Sequence, residues 1–322
     1  MGLRDLAAAA GLEIGAGASV EDLADDTFAG VLGAEFNRLA LENDLKWGRV
    51  RPERDVFAFE RADTLVDFAD RHDMHVTGHA LVWHEENPGW LTRRDWRASD
   101  LADELRSHVH ALTDRYADRI DTWVVVNEAV DDAGALRDTF WLENVGETYI
   151  ADAFRWAADH TDADLLYNEY GLPYNDAKRE RVYRLLEDLL DRGVPVDGIG
   201  LQLHSVGVHP GPERITETVR QFRDLGLEVR VTELDVAYRR DDRPDDLDAA
   251  QAAYYGMVVE ACLDAGVERL TVWGVTDDRS WITSWREYPD RYTQRPLLFD
   301  GDGRRKESYE AVASALRERG RG

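Results

Sequence analysis

The chain has 322 residues, 65 of them Asp or Glu against 39 Lys or Arg, so its formal charge is −26, with 43% hydrophobic residues and one cysteine. The apolar fraction excludes intrinsic disorder, and a negative field without a basic patch excludes nucleic acid and anionic membrane surfaces as expected partners. The lone Cys262 excludes an intramolecular disulfide and a cysteine metal cage, and no stretch approaches the ~18 apolar residues of a membrane span.

The N-terminal segment sets Asp5 beside Arg4 and offers only a short alanine run, with no signal-peptide core. A cytoplasmic location is therefore expected for the chain as it stands, although a chain already trimmed of an export signal would read the same. Onward from there, β-rich apolar runs begin near Leu12, Arg38, His75, Asp121, Ala163, Gly198, Leu227 and Arg269. Amphipathic stretches of helical period separate them. Lys178 to Asp191 sets Val182, Leu185, Leu186, Leu189 and Leu190 on one face and stops at Gly193; Asp248 to Asp264 carries a similar stripe and stops at Gly266. Eight strand–helix alternations predict an α/β fold, a single (β/α)8 TIM barrel over residues 1–322 with no appended binding module; a doubly wound two-domain fold is the alternative. A monomer is expected.

Barrel enzymes place their chemistry at the C-terminal ends of the strands. Here those ends carry Glu42, Asn43 and Lys46; His79, Trp83 and His84; Asn127 and Glu128; Asn168, Glu169 and Tyr170; Gln202 and His204; Glu233 and Asp235; Trp273, Thr276 and Asp277. Alternation along Val229-Arg-Val-Thr-Glu-Leu-Asp235 predicts that Glu233 points where its valines point, into the barrel mouth. With Glu128 it would form a carboxylate pair, the equipment for glycosidic bond cleavage, in which one carboxyl protonates the leaving oxygen and the other attacks or activates water. Asp235 is placed to orient His204, whose other nitrogen could donate to Glu233 and keep it ionised.

Metal chemistry finds little support. His108 and His110 are two apart on a helix and diverge, and His75 and His79 stand about 13 Å apart on a strand. His79, His84 and Glu42 remain conceivable ligands. Trp47, Trp83, Trp90, Trp273 and Trp281 fall at or just past strand ends, where an indole can stack on the C–H face of a sugar; about half of them are expected to face ligand.

Six ordered motifs resemble the endo-β-1,4-xylanases of glycoside hydrolase family 10: Glu42-Asn-Asp-Leu-Lys-Trp47, Gly78-His-Ala-Leu-Val-Trp-His84, Trp123-Val-Val-Val-Asn-Glu128, Gly198-Ile-Gly-Leu-Gln-Leu-His204, Thr232-Glu-Leu-Asp235, and Trp273-Gly-Val-Thr-Asp277 with Ser280-Trp281. The resemblance spans nearly the entire chain. It implies retaining hydrolysis of xylan or xylo-oligosaccharides without a cofactor or a metal, Glu128 being the acid/base, Glu233 the nucleophile, Asn127 the partner of the sugar 2-hydroxyl, and His204 and Asp235 the nucleophile's supports. It also implies glycone binding by Glu42, Asn43, Lys46, His79, Trp83, Gln202, Trp273 and Trp281, with Tyr170 on the aglycone side.

The chain departs from that pattern in three places. Glu86 stands where the family usually has a substrate-binding glutamine, and a carboxylate cannot donate the amide's hydrogen bonds. Asn168-Glu-Tyr-Gly171 replaces the commoner Asn-Asp-Tyr-Asn, and Lys306-Glu-Ser-Tyr309 lacks the usual proline. A divalent-metal sugar isomerase on the same fold, a xylan-binding protein without activity, and a related β-glucanase or aryl-glycosidase are the alternatives. Lastly, lysine occurs only at positions 46, 178 and 306 against 36 arginines, a composition that resembles proteins of a very salty medium, although a GC-rich genome also favours arginine.

Overall fold

The computed structural model describes residues 1–284 and 288–321. Among these, nine strands form one sheet: β1 Glu13–Ala18, β2 Arg38–Leu41, β3 His75–Val82, β4 Thr122–Asn127, β5 Asp164–Glu169, β6 Gly198–Leu201, β7 His204–Val206, β8 Glu228–Ala237 and β9 Arg269–Val272. Neighbours pair in the order β6-β5-β4-β3-β2-β1-β9-β8, and a further β6–β8 pairing closes the ring into an eight-stranded parallel barrel. Each barrel strand begins within one residue of the predicted run. β7 resumes β6 after Leu203, whose φ of +55° turns the chain, and pairs only with β8, setting His204 opposite Asp235.

Strands covered on both faces read as near-continuous apolar runs, and helices supply the outer layer. The helix Asp176–Asp191 buries Val182, Leu185, Leu186 and Leu189, starts with Asn175 accepting the Lys178 amide, and is followed by Gly193 at φ +64°. No helix among the described residues is long and apolar enough to cross a membrane.

The N-terminal end of the barrel is closed by guanidinium groups. Arg38 reaches Glu13 at 2.6 Å and Asp121 at 2.7 Å; Arg230 reaches Glu228 at 2.5 Å and also Asp164; Arg269 reaches Glu228 at 2.7 Å.

Strand β8 corrects the alternation argument. Arg230, not a valine, crosses the interior to Thr122 Oγ1 at 2.7 Å, and Thr232 Oγ1 donates to Asn168 Oδ1 at 2.7 Å. Glu233 shares that interior side because β8 inserts one extra residue between Val231, opposite Leu270, and Leu234, opposite Val272. A bulge re-aims the side chains beyond it, so Glu233 points inward for a reason strict alternation does not contain. Similar register shifts lie between His79 and Val82 on β3 and between Val124 and Val126 on β4. All three irregular strands carry residues of the cleft described next.

Candidate active site

The C-terminal mouth opens into a cleft of about 620 Å³. Glu42, Asn43, Lys46, His79, Trp83, Glu86, Asn127, Glu128, Tyr170, Gln202, His204, Glu233, Trp273 and Trp281 line it, and Asp235 lies buried behind His204. Of the predicted aromatic wall, Trp83, Trp273 and Trp281 face the cleft, whereas Trp47 does not. It is buried and stacks between His108 at 3.9 Å and Trp141 at 4.9 Å. Trp90 packs beside it and receives the Arg51 guanidinium on its ring. Both follow strand ends in sequence, but the chain turns back onto the outer layer before reaching them.

The two central carboxylates are held by neutral donors and one imidazole. Glu128 Oε1 accepts from Gln202 Nε2 at 2.9 Å and Asn127 Nδ2 at 3.1 Å, and its Oε2 accepts from Trp83 Nε1 at 3.1 Å. Glu233 Oε1 accepts from Asn168 Nδ2 at 2.6 Å, and its Oε2 lies 3.1 Å from His204 Nε2. Asn168 Nδ2 also donates to Asn127 Oδ1 at 2.8 Å, so two amides in series join the carboxylates. Asn168 was visible as a strand-end residue but was not singled out. It has its place because residue 200 is glycine: a Cβ there would stand 2.1 Å from Asn168 Oδ1.

His204 Nδ1 faces Asp235 Oδ2 at 3.0 Å, and Trp281 Nε1 donates to that same oxygen at 2.6 Å. Burial pulls the imidazole pKa down, but the Asp235 charge and the hydrogen bonds to Asp235 and Glu233 outweigh it and lift it to about 10. His204 is thus an imidazolium at neutral pH, donating from both nitrogens. For Glu233, burial pushes the carboxyl up, and the His204 hydrogen bond and nearby positive charge bring it below the ordinary range. Glu233 is thus ionised at neutral pH.

At one end of the cleft Glu42 is pushed up to about 7 by burial, against the pull of Lys46. Lys46 Nζ donates to Asn43 Oδ1 at 2.7 Å and sits 4.8 Å from the Trp83 ring centre, while Asn43 Nδ2 donates to Ser19 Oγ at 2.8 Å. Glu86 takes up a left-handed backbone, φ +56°, its carbonyl accepting from the Gly48 amide at 2.7 Å. Tyr170, Tyr174 and Tyr288 form the other end. Tyr174 and Tyr288 are not among the strand-end residues of the sequence analysis: Tyr288 lies far beyond β9, and Tyr174, though only a short loop past β5, follows the Asn168-Glu-Tyr-Gly171 run with no polar motif of its own. No group of three or more His, Cys, Asp or Glu side chains among the described residues could hold a metal ion, so His79, His84 and Glu42 do not converge as ligands.

A family model described as "Glycosyl hydrolase family 10" matches residues 2–315. The endo-1,4-beta-xylanase B of Thermotoga neapolitana is 35% identical over 98% of this chain and 92% of its own length, and a beta-1,4-xylanase of Dictyoglomus thermophilum is 36% identical over 91% and 86%. Among solved structures, native xylanase 10B of Thermotoga maritima superposes with a TM-score of 0.94 at 35% identity, covering 100% of this chain and 99% of that one. Xylanase 10B of Thermotoga petrophila, solved with xylobiose, gives 0.93 at 35% identity over 99% and 98%.

Proposed function

The chain belongs to glycosyl hydrolase family 10, and from that premise we infer that it is an endo-1,4-β-xylanase, cutting internal β-1,4-xylosidic bonds with retention. The observation that carries this is the Glu128–Glu233 pair, joined through Asn127 and Asn168 and, among the described residues, with no guanidinium bonded to either carboxylate. Glu233, ionised against His204, attacks the anomeric carbon while Glu128 protonates the departing oxygen. The glycosyl ester that forms is neutral; Glu128, now ionised, takes a proton from water, and the water displaces Glu233. Asn127, which hydrogen-bonds Glu128 and Asn168, binds the 2-hydroxyl of the sugar being cleaved in this reading. Glu42, Asn43, Lys46, Glu86 and Trp83 bind the glycone, and Tyr170 faces the aglycone. No step draws on a cofactor.

The test is product analysis on xylan, xylohexaose and carboxymethylcellulose, with the anomer first released followed by NMR. Internal cleavage of the xylosides to give the β-anomer first is expected. The α-anomer first, or preferential cutting of the cellulose derivative, overturns the reading.

We also propose that the acidic, arginine-rich composition is an adaptation to salt. What supports it is where lysine survives: Lys178 and Lys306 are buried in ion pairs with Glu169 and Asp277, and Lys46 lies in the cleft. Lysine is absent from the open surface among the described residues, whereas arginine is abundant there.

A further inference from the structure

Glu128 occupies a left-handed backbone, φ +58°, which an L-residue adopts only when its surroundings hold it there. The residues that hold it can be named group by group. On one side, the Glu128 amide donates to Asn168 O at 2.9 Å, the Ala129 amide to Tyr167 Oη at 3.2 Å, and the Val130 amide to Glu169 Oε2 at 3.2 Å. On the other side all three carbonyls accept from one residue. Arg137 Nε donates to Glu128 O at 2.9 Å, the Arg137 amide to Ala129 O at 2.7 Å, and Arg137 Nη2 to Val130 O at 3.0 Å. Every backbone polar group from 128 to 130 is therefore satisfied, and half of them by Arg137.

The far edge of the guanidinium is anchored in turn. Nη2 also donates to Tyr170 Oη at 3.0 Å, and the Tyr170 ring lies 3.1 Å from the Lys178 ammonium, which pairs with Glu169 at 3.0 Å. The two sides of the cradle thus meet through Tyr170, Lys178 and Glu169. A rigid fork that donates in several fixed directions suits this task, and a lysine ammonium could satisfy only part of it.

We propose that Arg137 is the positioning residue for the acid/base: by gripping the Glu128 and Val130 carbonyls it holds Glu128 at the conformation from which it reaches the leaving oxygen. It touches neither reacting carboxylate. This rests on the glycosidase reading given above. Its consequence is specific, because protonation of the leaving group is demanded only by poor leaving groups, whereas attack by Glu233 is demanded by all.

The test is kcat/KM, which reports glycosylation, for Arg137→Met and Arg137→Lys on aryl β-xylobiosides ranging from dinitrophenyl to unsubstituted phenyl, and on xylohexaose. With Arg137→Met, the dinitrophenyl glycoside should be cleaved within about twofold of wild type, while the phenyl glycoside and xylohexaose lose about 10²-fold, the scale of an ångström-level misplacement of a catalytic group. Arg137→Lys should recover part of that loss. Melting temperatures are taken alongside, and if the methionine variant does not fold the lysine variant carries the same comparison. An equal loss on every leaving group, or no loss on any, overturns the proposal. Wild-type enzyme inert on all the xylobiosides would instead overturn the substrate reading, and this inference with it.

Discussion

The two mouths of the barrel use the same residue types to opposite ends. At the N-terminal mouth Glu13, Asp121, Asp164 and Glu228 each meet an arginine, so their charge is spent on holding strands β1, β2, β4, β5, β8 and β9 together. At the C-terminal mouth Glu128 and Glu233 meet amides, an indole and a histidine whose charge is itself shared with Asp235. A carboxylate locked to a guanidinium has no reason to exchange protons or attack carbon; one held by neutral donors and a tunable imidazole does. Partnering, not residue type, separates the structural end from the chemical end.

Substitutions on each side sharpen that contrast, beginning with the largest effect. Glu233→Ala should remove turnover of xylan and of aryl xylobiosides alike, and should lower the melting temperature because His204 and Asn168 lose a buried partner; residual wild-type-like activity on either substrate breaks the assignment. Glu128→Ala should lower kcat/KM on xylohexaose by about 10²–10⁴-fold, the usual contribution of a general acid, yet spare dinitrophenyl xylobioside. Equal losses would show that the two carboxylates do not divide the work.

At the other mouth the expectation reverses. Arg230→Met should cost about 2 kcal/mol of stability in denaturant unfolding, less than the 3–5 of a fully buried pair, because Asp164 and Glu228 remain part exposed and keep Arg269. Specific activity of the folded fraction should stay at the wild-type value. Activity lost faster than stability would mean that the closed end reaches the site.

Histidine 204 lets pH probe the chemical mouth alone. The pH dependence of kcat/KM should be bell-shaped, with the acid limb set by Glu233. Replacing the imidazolium in His204→Gln removes the strongest pull against the burial of Glu233, so that limb should move to higher pH. The same residue makes a stability prediction. A histidine raised from 6.5 to about 10 on folding contributes stability fully present below pH 6.5 and lost as pH rises through 10, so the wild-type melting temperature should fall more than that of His204→Gln between pH 7 and 10. Parallel curves would remove His204 from the account.

The smallest expected effect is on the outer surface, which belongs to neither mouth. Self-repulsion of a −26 chain is screened as the Debye length shrinks from about 10 Å at 0.1 M to about 3 Å at 1 M. The melting temperature should rise by several degrees between 0.1 and 2 M NaCl. A weakly salting-out salt at equal ionic strength separates screening from strengthened apolar burial. A flat response with inhibition at 2 M would assign the composition to genome bias.

Eight apolar runs with strand period, spaced by helical stripes ending at Gly193 and Gly266, were enough to read the barrel, because burial on both faces writes itself into composition. The polar residues at the ends of those runs were enough to list most of the cleft. Three things were not legible. Whether Glu233 faces inward depends on the extra residue in β8, a relation between Val231–Leu234 and the neighbouring strand that no single-strand pattern contains. Trp47 and Trp90 share the sequence context of Trp83, and only the packing of the outer layer onto His108, Trp141 and Arg51 puts them out of reach of ligand. The role of Arg137, nine residues beyond Glu128 in a polar loop, exists solely through the carbonyls it meets. Periodicity and residue type report how deeply a position is buried, so the sequence by itself determined the barrel and the stock of groups at its mouth. Direction and partnership are set between segments far apart in the chain, and those only the tertiary structure decided.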